Sequence, residues 1–104
     1  MICVTTTLAD ETAARRLAAQ LVERRLAACV QISGPITSVY RWQGEIETGQ
    51  EWLVVAKTSE ALWEPIREAI DELHPYETPE LIATPVSHAA PAYAAWLDQQ
   101  LGAR

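Results

Sequence analysis

The sequence predicts an α+β fold with the element order β-α-β-β-α-β, a long central hairpin and an extra C-terminal helix. Short β-branched runs alternate along the 104 residues with segments of helical apolar spacing. A Gln43-Gly44 turn joins two extended runs that are each about twice the usual 5–6 residues. This order is that of the ferredoxin-like, split βαβ fold, an antiparallel sheet with helices packed on one face. We expect one domain over residues 1–104, because a chain of this length builds one core.

The first strand and the first helix are predicted from the N-terminal third of the chain. Residues 2–7 are rich in β-branched side chains, which indicates a short buried strand. Asp10 is expected to cap the helix that follows. The apolar face of that helix consists of small and aliphatic residues at helical spacing, namely Ala14, Leu17, Ala18, Leu21 and Val22.

The central hairpin is predicted from two extended segments on either side of the turn. Residues 27–33 form the second strand, which the Gly34-Pro35 pair interrupts with a bulge or a bend on a sheet edge. Residues 36–42 resume the extended structure. Residues 45–58 return as the third strand, with a break expected near Gly49.

The last third of the chain predicts a helix, a strand and a final helix. Ser59 is a candidate cap for the second helix, and Pro65 predicts either an irregular first turn or a helix start near Trp63. The fourth strand is predicted over residues 80–87, with Pro85 placing its end at an edge. Pro91 suits the first turn of the last helix. The apolar residues of the two helices are Leu62, Ile66, Ala69, Ile70 and Leu73, and then Tyr93, Trp96, Leu97 and Leu101.

Composition excludes some classes of function. The net charge is −6 and the sequence pI is about 4.8, which disfavours a nucleic-acid partner, because such proteins need Lys and Arg to neutralise phosphates. No apolar stretch is long enough to span a bilayer and no basic start leads into an apolar run. We therefore expect no membrane partner and a cytoplasmic location.

The two cysteines are expected to be free structural thiols. Cys3 and Cys29 each lie in an apolar strand-like run and form no C-x-x-C pair. The third strand of a split βαβ sheet separates the first from the second, so the two Cα atoms are expected to lie beyond the range of a disulfide.

The hairpin predicts self-association. Its far end carries Tyr40 and Trp42, with Trp52 on the returning strand, and a lone domain with two short helices leaves such aromatics exposed. We expect an oligomer in which each hairpin adds to a neighbour's sheet. Lys57 follows an apolar run and either binds an anion or pairs with a carboxylate. Three acidic residues are interpreted as solvated side chains that oppose aggregation rather than as a cation-attracting stripe, namely Glu45, Glu47 and Glu51.

The segment His74-Pro75-Tyr76-Glu77-Thr78-Pro79-Glu80 is the strongest candidate for a functional site. Its two prolines fix φ and exclude helix at the residues before them, which predicts a rigid corner between helix and strand. The corner presents an imidazole, a phenol and two carboxylates. Such a set can ligate a metal, bind a small molecule or only turn the chain.

Five motifs together give the chain a resemblance to the CutA, or divalent-cation tolerance, family. They are Leu26-Ala27-Ala28-Cys29-Val30, Ser38-x-Tyr40-x-Trp42-x-Gly44, Lys57-Thr58, His74-Pro75-Tyr76-x-x-Pro79-Glu80 and Tyr93-x-x-Trp96. The resemblance implies a ferredoxin-like fold, a homotrimer built through the long hairpins, a cytoplasmic setting in bacteria, and a role in tolerance to copper and other divalent cations. It also implies an architecture similar to that of the PII signalling proteins.

Of the copper ligands that the resemblance implies, this sequence keeps only one. Copper ligands described in such proteins are a Cys near the end of the first strand and His residues just before the Pro-Tyr pair, and the matching residues here are Thr6, Leu73 and His74. Without sulfur, a Cu(I)-selective site is disfavoured. We therefore predict weak binding of Cu(II) or another divalent cation by a set of hard or borderline ligands, namely His74, Glu77, Glu80 and His88.

Three functions are compared on this basis. The leading prediction is a non-enzymatic homotrimer of the cation-tolerance type, binding metal weakly or acting through a protein partner. The alternative is a PII-like sensor that binds a small ligand in clefts between subunits. The third is an enzyme using His74 with Glu77 or Tyr76 as an acid–base pair, for which no nucleophile or H-E-x-x-H motif is present.

Overall fold

The computed structural model describes residues 1–102, and its elements follow the predicted order. A short 3₁₀ turn, Glu60–Leu62, precedes the second helix. The strands and helices are β1 (Ile2–Leu8), α1 (Glu11–Glu23), β2 (Cys29–Trp42), β3 (Glu45–Thr58), α2 (Trp63–Leu73), β4 (Ile82–Pro85) and α3 (Pro91–Leu101).

The four strands form one antiparallel sheet in the order β2-β3-β1-β4, which confirms the predicted α+β fold. Because β3 lies between β1 and β2, Cys3 and Cys29 both stand opposite Lys57, on its two sides. Two strand spacings separate their Cα atoms by about 9–10 Å, beyond the range of a disulfide. Both thiols are free, as predicted.

The core lies between one face of the sheet and the helices α1 and α2. Alternate residues of β1 and β3 point into it, and α1 and α2 contribute the aliphatic residues of their buried faces. The other side, which we call the open sheet face, has half-buried or exposed side chains. By the same alternation and register, its half-buried and exposed residues include Cys3, Thr5, Cys29, Gln31, Leu53, Val55, Lys57, Ile82 and Thr84.

The hairpin is as long as predicted, since β2 and β3 each have 14 residues. Gln43 and Gly44 both have positive φ, 50° and 82°, as a tight hairpin turn requires. The predicted bulge at Gly34-Pro35 is confirmed by a shift of register between Ser33 and Ile36. The predicted break at Gly49 is wrong, because the ladder to β2 continues on both sides of this residue.

Two predicted strand bounds are also wrong. The second strand begins at Cys29, not at residue 27, because the Ala27 N–H still bonds to the Leu21 carbonyl, 3.2 Å away, and closes α1. The fourth strand has four residues instead of eight, because it pairs only with the first part of β1. Further along β1, the Thr7 carbonyl accepts a hydrogen bond from the His74 ring and not from a β4 residue.

The helix ends follow local chemistry. The Asp10 carboxylate accepts from the N–H groups of Thr12 and Ala13 and caps α1 as predicted. The predicted cap at Ser59 makes no side-chain hydrogen bond. As the position of Pro65 predicted, α2 starts at Trp63. Among residues 1–102, no helix is long and apolar enough to cross a membrane.

Candidate functional site

The corner that follows α2 is set by Pro75. Proline disfavours the helical region for the residue before it, and His74 is accordingly extended, with φ −79° and ψ 135°. Its N–H still bonds to the Ile70 carbonyl at 2.8 Å, so the helix ends with this donor satisfied. The chain therefore turns at His74 and directs the imidazole into the protein.

The His74 imidazole is buried, and the protein uses both of its ring nitrogens. Nε2 lies 2.9 Å from the Thr7 carbonyl oxygen, which only accepts, so Nε2 carries the proton. Nδ1 then accepts from the backbone N–H of Tyr76 at 3.1 Å. Burial lowers the pKa of His74, while the Thr7 bond and the charges of Glu51 and Asp71 raise it by less. His74 is thus held as a neutral ring that joins the corner to β1.

Tyr76 links the corner to the base of the hairpin. Its ring lies against that of His74, with centroids 4.7 Å apart, and its hydroxyl donates to Glu51 Oε2 at 3.1 Å. Burial, with the Glu51 hydrogen bond and charge, raises the pKa of Tyr76 to about 12. Glu51 is half-buried, so its interpretation as a solvated residue is wrong. The sequence contained one signal for this, since Glu51 continues the alternation of the apolar Leu53 and Val55.

The predicted metal ligands are not brought together within this chain. His74 is buried, whereas Glu77, Glu80 and His88 are exposed. The exposed imidazole of His88 has Nδ1 3.1 Å from the Ser87 hydroxyl. In residues 1–102, no three His, Cys, Asp or Glu side chains are placed to hold one metal ion. Metal binding by the four residues stays a prediction.

The two positions that differ from the family's copper ligands are part of the core. Thr6 is 1% exposed, and its Oγ1 has no hydrogen-bond partner within the described chain. Leu73 is half-buried and packs against the core cluster. Of the copper-ligand positions, His74 alone keeps a metal-ligating side chain. A divalent ion would have to displace a hydrogen bond to reach it, because the lone pair of His74 Nδ1 already accepts from the Tyr76 N–H.

The three aromatics of the hairpin have different environments. Tyr40 and Trp42 are 49% and 57% exposed, as the prediction of an interface requires. Trp52 instead packs against the core and underneath Gly34, where an added Cβ would lie 2.7 Å from the Trp52 Cδ1 atom. Among the three aromatics of the hairpin, the two on its outer part are therefore the exposed ones.

Comparison with known proteins extends the resemblance to almost the whole chain. Residues 2–100 match the family model described as CutA1 divalent ion tolerance protein. The divalent-cation tolerance protein CutA of Thermus thermophilus is 43% identical over 96 residues, 92% of this chain and 93% of that protein. Mouse protein CutA is 42% identical over 93 residues, and the aligned part is 89% of this chain but only 52% of the mouse protein.

Solved structures give the same result. The Thermus thermophilus divalent cation tolerance protein superposes with a TM-score of 0.93 at 42% identity, covering 98% of this chain and all of that one. The CutA protein of Archaeoglobus fulgidus, described as periplasmic, superposes with a TM-score of 0.93 at 31% identity and covers 97% of this chain and 99% of its own.

Proposed function

Because the chain belongs to the CutA1 divalent ion tolerance family, we propose that it is a non-enzymatic divalent-cation tolerance protein that acts as a cytoplasmic homotrimer. The observation that carries this proposal is the family match over residues 2–100, which includes both the long hairpin and the proline-bounded corner. A role in the response to copper and other divalent metals is part of the proposal.

The surface of the single chain supports assembly. Tyr40, Trp42, Val39 and Ile46 are exposed on the hairpin, and the open sheet face carries half-buried apolar side chains. Exposed apolar surface of this kind marks contact with another chain. In a closed homo-oligomer, every copy covers the same surface on its neighbour.

The proposed metal binding is weak, through His74, Glu77, Glu80 and His88. A neutral imidazole and carboxylates suit Cu(II) or another borderline cation. The ion has to compete with Tyr76 for Nδ1 of His74, and the other three groups are exposed and not convergent. We expect dissociation constants in the micromolar to millimolar range, or roughly −8 to −4 kcal/mol.

Calorimetric titration with Cu(II) tests the metal proposal, with light scattering on the same samples. His74→Ala should lower the affinity several-fold and leave a trimer. His88→Ala is the matched control for loss of an exposed imidazole and should have a smaller effect. Unchanged binding in His74→Ala would show that His74 belongs to the corner alone. Submicromolar binding by the wild type would show that groups of a neighbouring subunit complete a site.

The two other predicted functions are separated by simple assays. Tyr76 is a poor acid–base group at neutral pH with a pKa of about 12, and both His74 nitrogens are engaged, which supports a non-enzymatic role. A PII-like sensor would instead show a small ligand that raises the melting temperature in proportion to its saturation.

A further inference from the structure

Lys57 carries an unpaired charge in the middle of the open sheet face. It is the single lysine of the chain and stands on β3 between Cys3 and Cys29. The side chain is half-buried, and its ammonium group donates to the Gln31 side-chain oxygen. Within residues 1–102, none of the ion pairs that the structure contains involves Lys57.

Carboxylates are present on the same side of β3, but at its other end. Glu45, Glu47 and Glu51 share the side-chain direction of Lys57, because odd-numbered residues of this unbroken strand alternate to one face. Glu47 is ten residues from Lys57, which is about 33 Å along an extended strand. Lys57 and Glu47 therefore do not meet within one chain.

Because Lys57 pairs with no carboxylate within the described part of its own chain, a carboxylate that pairs with it in an assembly has to come from another copy. The Lys57 ammonium group would lose water if another chain covered the open sheet face, and that loss is costly unless the covering chain supplies an opposite charge. The outer hairpin of a second copy carries both things that the open sheet face lacks. Its exposed aromatic side chains can pack on Leu53 and Val55 of the first copy, and its carboxylates can neutralise Lys57.

Glu47 is the carboxylate best placed for this role. Glu51 already accepts from Tyr76, and Glu45 adjoins the hairpin turn. Glu47 stands directly opposite Tyr40, with Trp42 one residue pair away on the same face. It is exposed and adjoins the exposed aromatic surface of the outer hairpin.

We propose that Lys57 of one copy forms an ion pair with Glu47 of a second copy, whose outer hairpin lies across the open sheet face. The inference rests on the proposed homotrimer and names the charge pair that orients its subunits. Charge pairs of this kind fix the register of an interface and select the correct partner.

Charge reversal tests the pair. Lys57→Glu and Glu47→Lys should each raise the concentration at which the trimer dissociates by about tenfold or more, as expected when one partner of an interfacial charge pair is lost. The double variant Lys57→Glu/Glu47→Lys should restore it to near the wild-type value. Glu45→Lys is the matched control on the same strand face, and it should not restore assembly when combined with Lys57→Glu. Native mass spectrometry measures the trimer and circular dichroism verifies the fold.

If a reversed charge prevents folding, the neutral variants Lys57→Gln and Glu47→Gln and their double variant replace the reversals. The double variant should then weaken the trimer by less than the sum of the two single effects. A wild type that is monomeric by light scattering would overturn both the pair and the proposed trimer. A wild-type trimer whose double reversal is no better than the single variants would overturn the pair alone. Stabilisation by millimolar phosphate together with an unaffected Glu47→Lys trimer would also overturn it, by assigning Lys57 to a small anion.

Discussion

Thr6 and Thr58 are two buried threonines of the core with opposite hydrogen bonding. Thr6 Oγ1 has no partner in the described chain, whereas Thr58 Oγ1 donates to the Leu26 carbonyl at 2.7 Å. A buried unpaired hydroxyl costs free energy, so Thr6→Val should raise the free energy of unfolding by about 1 kcal/mol. Thr58→Val is the matched control and should lower it by about the same amount. Urea unfolding at one fixed protein concentration measures both, and a less stable Thr6→Val would mean that a buried water bonds the hydroxyl.

His74 should make the stability fall on acidification. Burial lowers the pKa of His74 in the folded protein below its unfolded value of about 6.5. Between these two values the unfolded chain binds more protons, so the free energy of unfolding falls as the pH falls through this window. His74→Gln should remove this part of the pH dependence in urea titrations. His88→Gln is the matched control for the loss of an exposed imidazole, and an equal change of slope in both variants would contradict the assignment to His74.

At the scale of elements, Gly34 is fixed by its contact with Trp52. An added Cβ would lie 2.7 Å from the indole, whereas at Gly49 it would lie 4.0 Å from the nearest atom, the Tyr40 hydroxyl. Gly34→Ala should therefore lower the free energy of unfolding by roughly 1–3 kcal/mol through overpacking, and Gly49→Ala should be close to neutral or slightly stabilising. Equal effects in thermal or urea unfolding would show that the indole moves aside.

The elements also show what could be predicted from sequence and what could not. Helical spacing, the Gln43-Gly44 turn and the Asp10 cap are local signals, and the structure confirms them. The contact between Tyr76 and Glu51 joins residues 25 positions apart, and no local pattern specifies it. The shortened β4 has the same origin, because its length depends on how much of β1 the corner already occupies.

At the scale of the whole molecule, the candidate site was predictable as a segment but not as an arrangement. The two prolines identify the corner, and Pro75 explains why His74 leaves the helix. That both His74 nitrogens are used by Thr7 and Tyr76 follows only from how α2 packs beside the end of β1. The sequence therefore predicted the residue, and the packing determines that its two ring nitrogens bond to the protein.

Trp42 and Trp52 of the hairpin are expected to affect different stabilities, that of the proposed trimer and that of the folded chain. Trp42 is 57% exposed in the single chain, so burying it in a trimer would contribute roughly 1.5–3 kcal/mol per copy. We expect no stable folded monomer of the wild type at micromolar concentration. Trp42→Ala should dissociate the trimer on dilution at concentrations where the wild type stays intact, by light scattering and by the concentration dependence of Tm. Trp52 packs against the core, so Trp52→Ala should cost about 3 kcal/mol at every concentration. A Trp42→Ala trimer as resistant to dilution as the wild type would mean that the subunits do not associate through the outer hairpin.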